Sequence, residues 1–123
     1  MPEPILNHCR ILVVEDEYLL ADELRRKLEG VGAVVLGPVG TVSDAMAMIN
    51  SEIHIDGAVV DVNLRGEMAY PAADLLLQRA IPFLFTTGYD ASALSPRFEG
   101  VPRCEKPLNM SKVAETIGHM LGS

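Results

Sequence analysis

The strongest constraint on this chain is an alternation between two kinds of apolar run. The first kind is short and has no in-and-out polar pattern: "RILVVED", "AVVLGPV", "GAVVDV" and "IPFLFTTG". Such runs predict strands covered on both faces, the habit of parallel sheets. The second kind is longer, with apolar residues at helical spacing. In "EYLLADELRRKLEGVG", Leu20, Leu24 and Leu28 share a stripe while Glu23, Arg26 and Lys27 lie off it, and Gly30 or Gly32 closes the helix. "TVSDAMAMINSE" has Thr41 or Ser43 as its cap, and "PAADLLLQRA" carries Pro71 near its first turn. "VPRCE" is a weaker fifth strand whose Pro102 suits an edge, and "LNMSKVAETIGHML" is a closing helix with Val113, Ile117 and Leu121 on one face. Strand and helix in strict succession predict an α/β fold: a parallel sheet flanked by helices, joined by right-handed crossovers.

One stretch breaks the rhythm. A fourth helix belongs within "YDASALSPRFEGV", residues 89–101, but Pro96 and the thin apolar content predict a short helix or a mobile loop. No internal repeat, low-complexity tract or linker interrupts the pattern, so residues 1–123 are expected to form one domain of common size.

Charge narrows the partners. Seventeen acids against ten Lys and Arg leave a net charge of -7, which disfavours unaided binding to nucleic acid or to an anionic membrane. The longest apolar stretch, "VGAVVLGPVG", is broken by Gly and Pro and falls short of the about 18 residues a membrane helix needs. "MPEPILNHCR" has no signal-peptide pattern, and a cytoplasmic protein is expected. Cys9 and Cys104 fit neither a disulfide framework nor a zinc spacing and are expected as small packing residues. Met46, Met48, Met110 and Met120 are expected to pack helices, and His8, His54 and His119 to have no catalytic role.

Ligands of open parallel sheets bind at the carboxyl ends of the strands. Glu15 and Asp16 follow the first strand, Asp61 ends the third, Thr87 and Gly88 end the fourth, and Lys106 follows the fifth. Singly these residues are ordinary: Asp16 could cap a helix, and Lys106 could be a solvated surface residue. Together they are not. Three carboxylates at one edge repel unless a cation sits among them, and oxygen ligands suit Mg2+. A lysine beside them offers a point charge for phosphate oxygens, and a threonine adds a donor. A metal, an anionic ligand and a carboxylate able to attack it make a phosphoryl-transfer site.

"VVEDE", "VVDVNL", "TTGY" and "EKPL", in this order and spacing, resemble the receiver domain of two-component response regulators, over essentially the whole chain and in a single-domain form. The resemblance implies a flavodoxin-like (βα)5 doubly wound parallel sheet with strand order 2-1-3-4-5. It implies that Asp61 accepts a phosphoryl group from a phosphohistidine on a sensor histidine kinase or phosphotransfer protein. Glu15, Asp16, Asp61 and the Asn63 carbonyl would hold Mg2+. Lys106, joined to Pro107 by a cis bond, would contact the phosphoryl group, and Thr87 would report it by moving its hydroxyl. A downstream protein partner and a monomer or weak dimer are implied, not an enzyme with an external metabolite.

The chain departs from the family in three places. Arg103 stands where most receivers carry an aromatic, and Tyr89 is the candidate replacement. "FTTGY" is similar to the F-x-T-G-x-Y signature of one receiver subgroup, with the tyrosine one position early. Arg65 stands where a proline often follows the acceptor loop. Three other readings compete. An aspartyl-phosphate phosphatase needs a second aspartate where Asn63 stands. A nucleotide or flavin module needs a Gly-rich loop that is absent. A phosphorylation-independent pseudo-receiver, acting as a protein-interaction module, is the remaining alternative.

Overall fold

The computed structural model describes residues 6–88 and 94–122. The expectations placed on residues 89–93, Tyr89 among them, lie outside the described residues. The elements run β1 (Arg10–Val14), α1 (Tyr18–Gly30), β2 (Val34–Val39), α2 (Val42–Ser51), β3 (Gly57–Asp61), β4 (Asn63–Leu64), β5 (Glu67–Met68), α3 (Tyr70–Gln78), β6 (Phe83–Thr87), a 3-10 turn (Pro96–Phe98), β7 (Arg103–Glu105) and α4 (Met110–Met120). Five strands form one sheet in the order β2-β1-β3-β6-β7, with every neighbouring pair parallel. Counting only these strands, the order is the expected flavodoxin-like 2-1-3-4-5.

The apolar runs become strands because both of their faces are covered. β3 and β6 are buried at every residue, and β1 is buried from Ile11 onward. Alternate side chains serve two cores. Leu12, Val14, Ala58, Val60, Phe83 and Phe85 pack with Val42, Ala45 and Ile49 of α2 and Ala72, Ala73 and Leu76 of α3. Ile11, Val13, Val59, Leu84 and Cys104 pack with Leu24 and Leu28 of α1 and Val113 and Ile117 of α4. All four methionines expected to pack helices lie against these cores.

Local chemistry sets the helix ends. Thr41 Oγ1 accepts the Asp44 N–H at 3.0 Å, and Asn109 Oδ1 accepts the Lys112 N–H at 3.1 Å. Asp16 does not cap α1: Glu17 holds that position and makes no side-chain cap. After α1 the chain turns through Gly32 at φ +101, where an added Cβ would meet the Asn7 Cα at 2.9 Å, so only glycine fits. Arg79 donates to the carbonyls of Ile49, Glu52 and Ile53, occupying orphan acceptors at the end of α2.

One feature departs from the expected pattern, and a second bears out the expected short fourth helix. β4 and β5 form a small antiparallel hairpin between the third sheet strand and α3. Its two-residue turn, Arg65–Gly66, has φ of 54 and 89, the doubly left-handed type I′ geometry. The second is the fourth-helix region, where residues 96–98 make only a 3-10 turn. That turn is well anchored. Phe98 is fully buried, stacks on Tyr70 at 5.0 Å and meets Phe85 edge-on at 5.5 Å. Arg97 pairs with Asp74 at 3.1 Å and lies over the Phe98 ring, and the Tyr70 hydroxyl accepts the Ser95 N–H at 2.9 Å.

Truncating this anchor is expected to loosen the segment and weaken the fold together. Phe98→Ala should lower unfolding free energy by about 3–5 kcal/mol in a denaturant titration, with faster amide exchange at residues 94–101. Unchanged exchange there would show that other contacts hold the segment.

Candidate functional site

The sheet register brings the predicted residues to one edge. Val14 pairs with Val60, so the next residues, Glu15 and Asp61, emerge side by side at the carboxyl ends of β1 and β3. Both are buried, at 3% and 4% exposure, while Asp16 is half-buried. Carboxylate oxygens of Glu15, Asp16 and Asp61 lie within 4.8 Å of one another. Lys106, just past β7, reaches back across β6. Its Nζ donates to Asp61 Oδ2 at 2.9 Å and lies 3.3 Å from Glu15 Oε1. The Lys106 N–H donates to the Thr87 carbonyl at 2.7 Å, and the Lys106–Pro107 bond is cis.

The second oxygen of each buried acid is held by backbone. Asp61 Oδ1 accepts the Asn63 N–H at 3.1 Å, and Glu15 Oε2 accepts the Glu17 N–H at 3.0 Å. Among the described residues Glu15 Oε1 makes no hydrogen bond; its contact with Lys106 is an ion-pair distance only. Burial, with the Asp61 charge alongside, pushes Glu15 up to about 7, against the opposing pull of the Glu17 N–H and Lys106. Partial burial acts to lower the Lys106 ammonium, but the bond and charge of Asp61, with Glu15, more than offset it and the net direction is upward.

Thr87 does not join this contact set. It is fully buried, and among the described residues its Oγ1 has no hydrogen-bond partner. Strand alternation puts it on the face of Phe83 and Phe85, above the α2–α3 core. Thr86, directly opposite Asp61 in the register, lies on the other face; it too is fully buried, with no hydroxyl partner among the described residues. Sequence reasoning missed this second hydroxyl, which only the register distinguishes from its neighbour. It also missed the tip of the β4–β5 hairpin, where Arg65 Nε donates to Asp16 Oδ2 at 3.3 Å. A cleft of about 570 Å³ opens beside the acids, lined by Glu15, Asp16, Tyr18, Asp22, Arg25 and Arg65.

The donor set fits a hard divalent cation: three carboxylates, one offering a buried oxygen with no hydrogen bond among the described residues. Lys106 and Arg65 bring two positive charges to three acids, and burial first, with the Asp61 charge beside it, raises Glu15.

No family model matches the chain. SdrG from Sphingomonas melonis Fr1 is similar over nearly its whole length: 40% identity, TM-score 0.81, covering 93% of this chain and 97% of that one. A second SdrG structure, of its BeF3-activated conformation, shows 38% identity and a TM-score of 0.76 over 98% of this chain and 99% of that one. The response regulator PhyR from Brucella abortus shows 25% identity and a TM-score of 0.80, over 97% of this chain and 51% of its own. The chain belongs to the response regulator receiver family. Among curated relatives, the phyllosphere-induced regulator PhyR of Methylorubrum extorquens is 30% identical over 114 residues, 90% of this chain and 43% of that protein. The receiver spans under half the length of the curated relatives it matches. As a receiver it is a signalling module rather than an enzyme. Among the described residues no helix is long and apolar enough to cross a membrane.

The Glu15 shift has a measurable consequence in metal-free protein. Folded Glu15 holds its proton more firmly than the unfolded chain, whose value is near 4.5. That contribution to stability is full below 4.5 and is lost as pH rises through about 7. In chelator, the wild type should lose on the order of 2 kcal/mol relative to Glu15→Gln between about pH 5 and about pH 8. A pH-independent difference between the two in denaturant titrations would refute the shift.

Proposed function

We propose that this receiver, residues 1–123 acting as one domain, takes a phosphoryl group onto Asp61 from a phosphohistidine on a sensor histidine kinase or phosphotransfer protein. The observation that carries this reading is the convergence of Glu15, Asp16, Asp61 and Lys106 at the carboxyl edge of the sheet. In the reaction a carboxylate oxygen of Asp61 forms a bond to phosphorus. The phosphorus–nitrogen bond breaks, and its electron pair returns to the imidazole of the donor. Attack by water later regenerates the carboxylate and releases phosphate.

Each residue has a distinct task. Asp61 is the nucleophile, fixed by the Asn63 N–H on one oxygen and Lys106 on the other. Glu15, Asp16, Asp61 and the backbone carbonyl of Asn63 would hold Mg2+, which when bound neutralises charge on the acids and the incoming phosphoryl oxygens. Lys106 then exchanges its carboxylate contact for a phosphoryl oxygen. Thr87 holds a buried hydroxyl without a partner among the described residues. A phosphoryl oxygen at the edge supplies an acceptor, and movement toward it carries the signal to the loops after β3 and β6. The relative SdrG has a BeF3-activated conformation, and that anion is a tetrahedral mimic of a phosphoryl group on a carboxylate. We place the receiver in the cytoplasm, signalling to a protein partner as a monomer or weak dimer.

With Mg2+ and acetyl phosphate, intact mass should show one added phosphoryl group in the wild type and none in Asp61→Asn. Equal modification of both would remove Asp61 from its role. Lys106→Ala should keep part of the phosphorylation yet lose the accompanying change in the amide spectrum. A wild-type spectral response in that variant would contradict the role given to the lysine.

A further inference from the structure

Arg65 faces the same cleft as the acids, yet the proposed transfer gives it no task. Its placement is built rather than incidental. The β4–β5 hairpin starts two residues after Asp61, and its base is tied to that residue by the Asn63 N–H bond to Asp61 Oδ1. The tip is closed by the Gly66 N–H bond to Asn63 Oδ1 at 2.6 Å, and the far end by the Ala69 N–H bond to the Val62 carbonyl at 2.8 Å. At the tip Arg65 adopts φ 54, a left-handed conformation that branched or bulky side chains resist and that Asn or Gly accept readily. From there the guanidinium reaches across 49 residues of sequence to Asp16 Oδ2. Arg25, the other arginine at this cleft, is committed elsewhere, to Asp22 at 2.6 Å and Glu29 at 2.9 Å.

We propose that Arg65 is a displaceable counter-ion for the cation site. It neutralises Asp16 while the acids are metal-free and surrenders that carboxylate when a divalent cation arrives, so the residue sets how tightly the cation binds. The inference rests on the reading that Glu15, Asp16 and Asp61 hold Mg2+. A guanidinium and a divalent cation on one carboxylate repel each other at a few ångströms, so binding the ion must include the work of moving the arginine. Two properties suit a displaceable group. Asp16 is the least buried of the three acids, and the Arg65 side chain is 79% exposed, free to swing into water. Exposure also makes the competition salt-dependent.

The test is an Mg2+ titration of the whole chain, followed by calorimetry and by the nitrogen-resolved Nε–H signal of Arg65. Arg65→Asn removes the charge and keeps a residue that the left-handed turn accepts. It should bind Mg2+ about three- to tenfold more tightly than wild type at low salt, with the gain shrinking as salt rises. Arg65→Lys should fall between the two. Arg25→Gln, a control for the general field of the cleft, should leave affinity near wild type. In the wild type the Arg65 Nε–H signal should shift with the midpoint of Mg2+ binding. Wild-type affinity in Arg65→Asn, an equal gain in Arg25→Gln, or an Nε–H signal indifferent to Mg2+ would each overturn the proposal while leaving the metal site intact. Absence of Mg2+ uptake by wild type and every variant would overturn the metal site itself, and the proposal with it.

Discussion

Everything at the upper edge of this sheet depends on two carboxylates held side by side in a nearly dry place. Glu15 and Asp61 sit at adjacent strand ends with almost no exposure. Like charges so placed cannot both be ionised without compensation. Lys106 supplies part of it and the backbone N–H groups of Glu17 and Asn63 supply more, while burial first, and the Asp61 charge after it, leave Glu15 holding its proton to about 7. Such an edge is in tension. It favours whatever brings positive charge to it, which is the physical basis for reading it as a cation and phosphoryl site rather than as a structural ion-pair cluster.

The fold beneath that edge was largely legible. A strand buried on both faces has no reason to alternate, so "GAVVD" and "FLFTT" announce themselves, and a helix over a sheet must present a stripe, as Leu24 and Leu28 do. The acids and the lysine were legible for a related reason: charged residues ending apolar runs fall at the same edge whenever the strands are parallel. Other features depend on information that a linear pattern does not carry. Strands of two residues, such as β4 and β5, have no period, and Arg-Gly is a weak signal beside the Asn-Gly of most type I′ turns. Arg65 and Asp16 meet only because β1 and β3 are neighbours. Phe98, a single aromatic in a polar stretch, reads as loop until Tyr70 and Phe85 are found around it.

The short fourth-helix region illustrates how a few contacts replace an element. A full helix would bury a stripe. Here one ring buried between α3 and β6, clamped by Arg97 and Asp74, holds a three-residue turn in place. Large aromatic burial contributes enough on its own to fix a short segment. It does so from the α2–α3 side of the sheet, the side that Thr87 also faces.

That shared side gives strand β6 its meaning. Thr86 and Thr87 are consecutive, yet the pleat sends them to opposite faces: Thr86 into the row of Asp61, Thr87 toward Phe85 and the aromatic cluster on Phe98. Both hydroxyls are buried without partners among the described residues, and a buried unpaired hydroxyl costs about 1–3 kcal/mol. A group that is already unsatisfied gives up nothing when it moves toward an acceptor. A phosphoryl oxygen above Asp61 would therefore draw on a donor whose present position is unfavourable. The volume Thr87 leaves would open against Phe85, the ring on which Phe98 and its turn rest. Arg103, the register partner of Phe85 on β7, lies on this same face, so the ring cluster of Phe85, Phe98 and Tyr70 stands beside the position where the aromatic is missing.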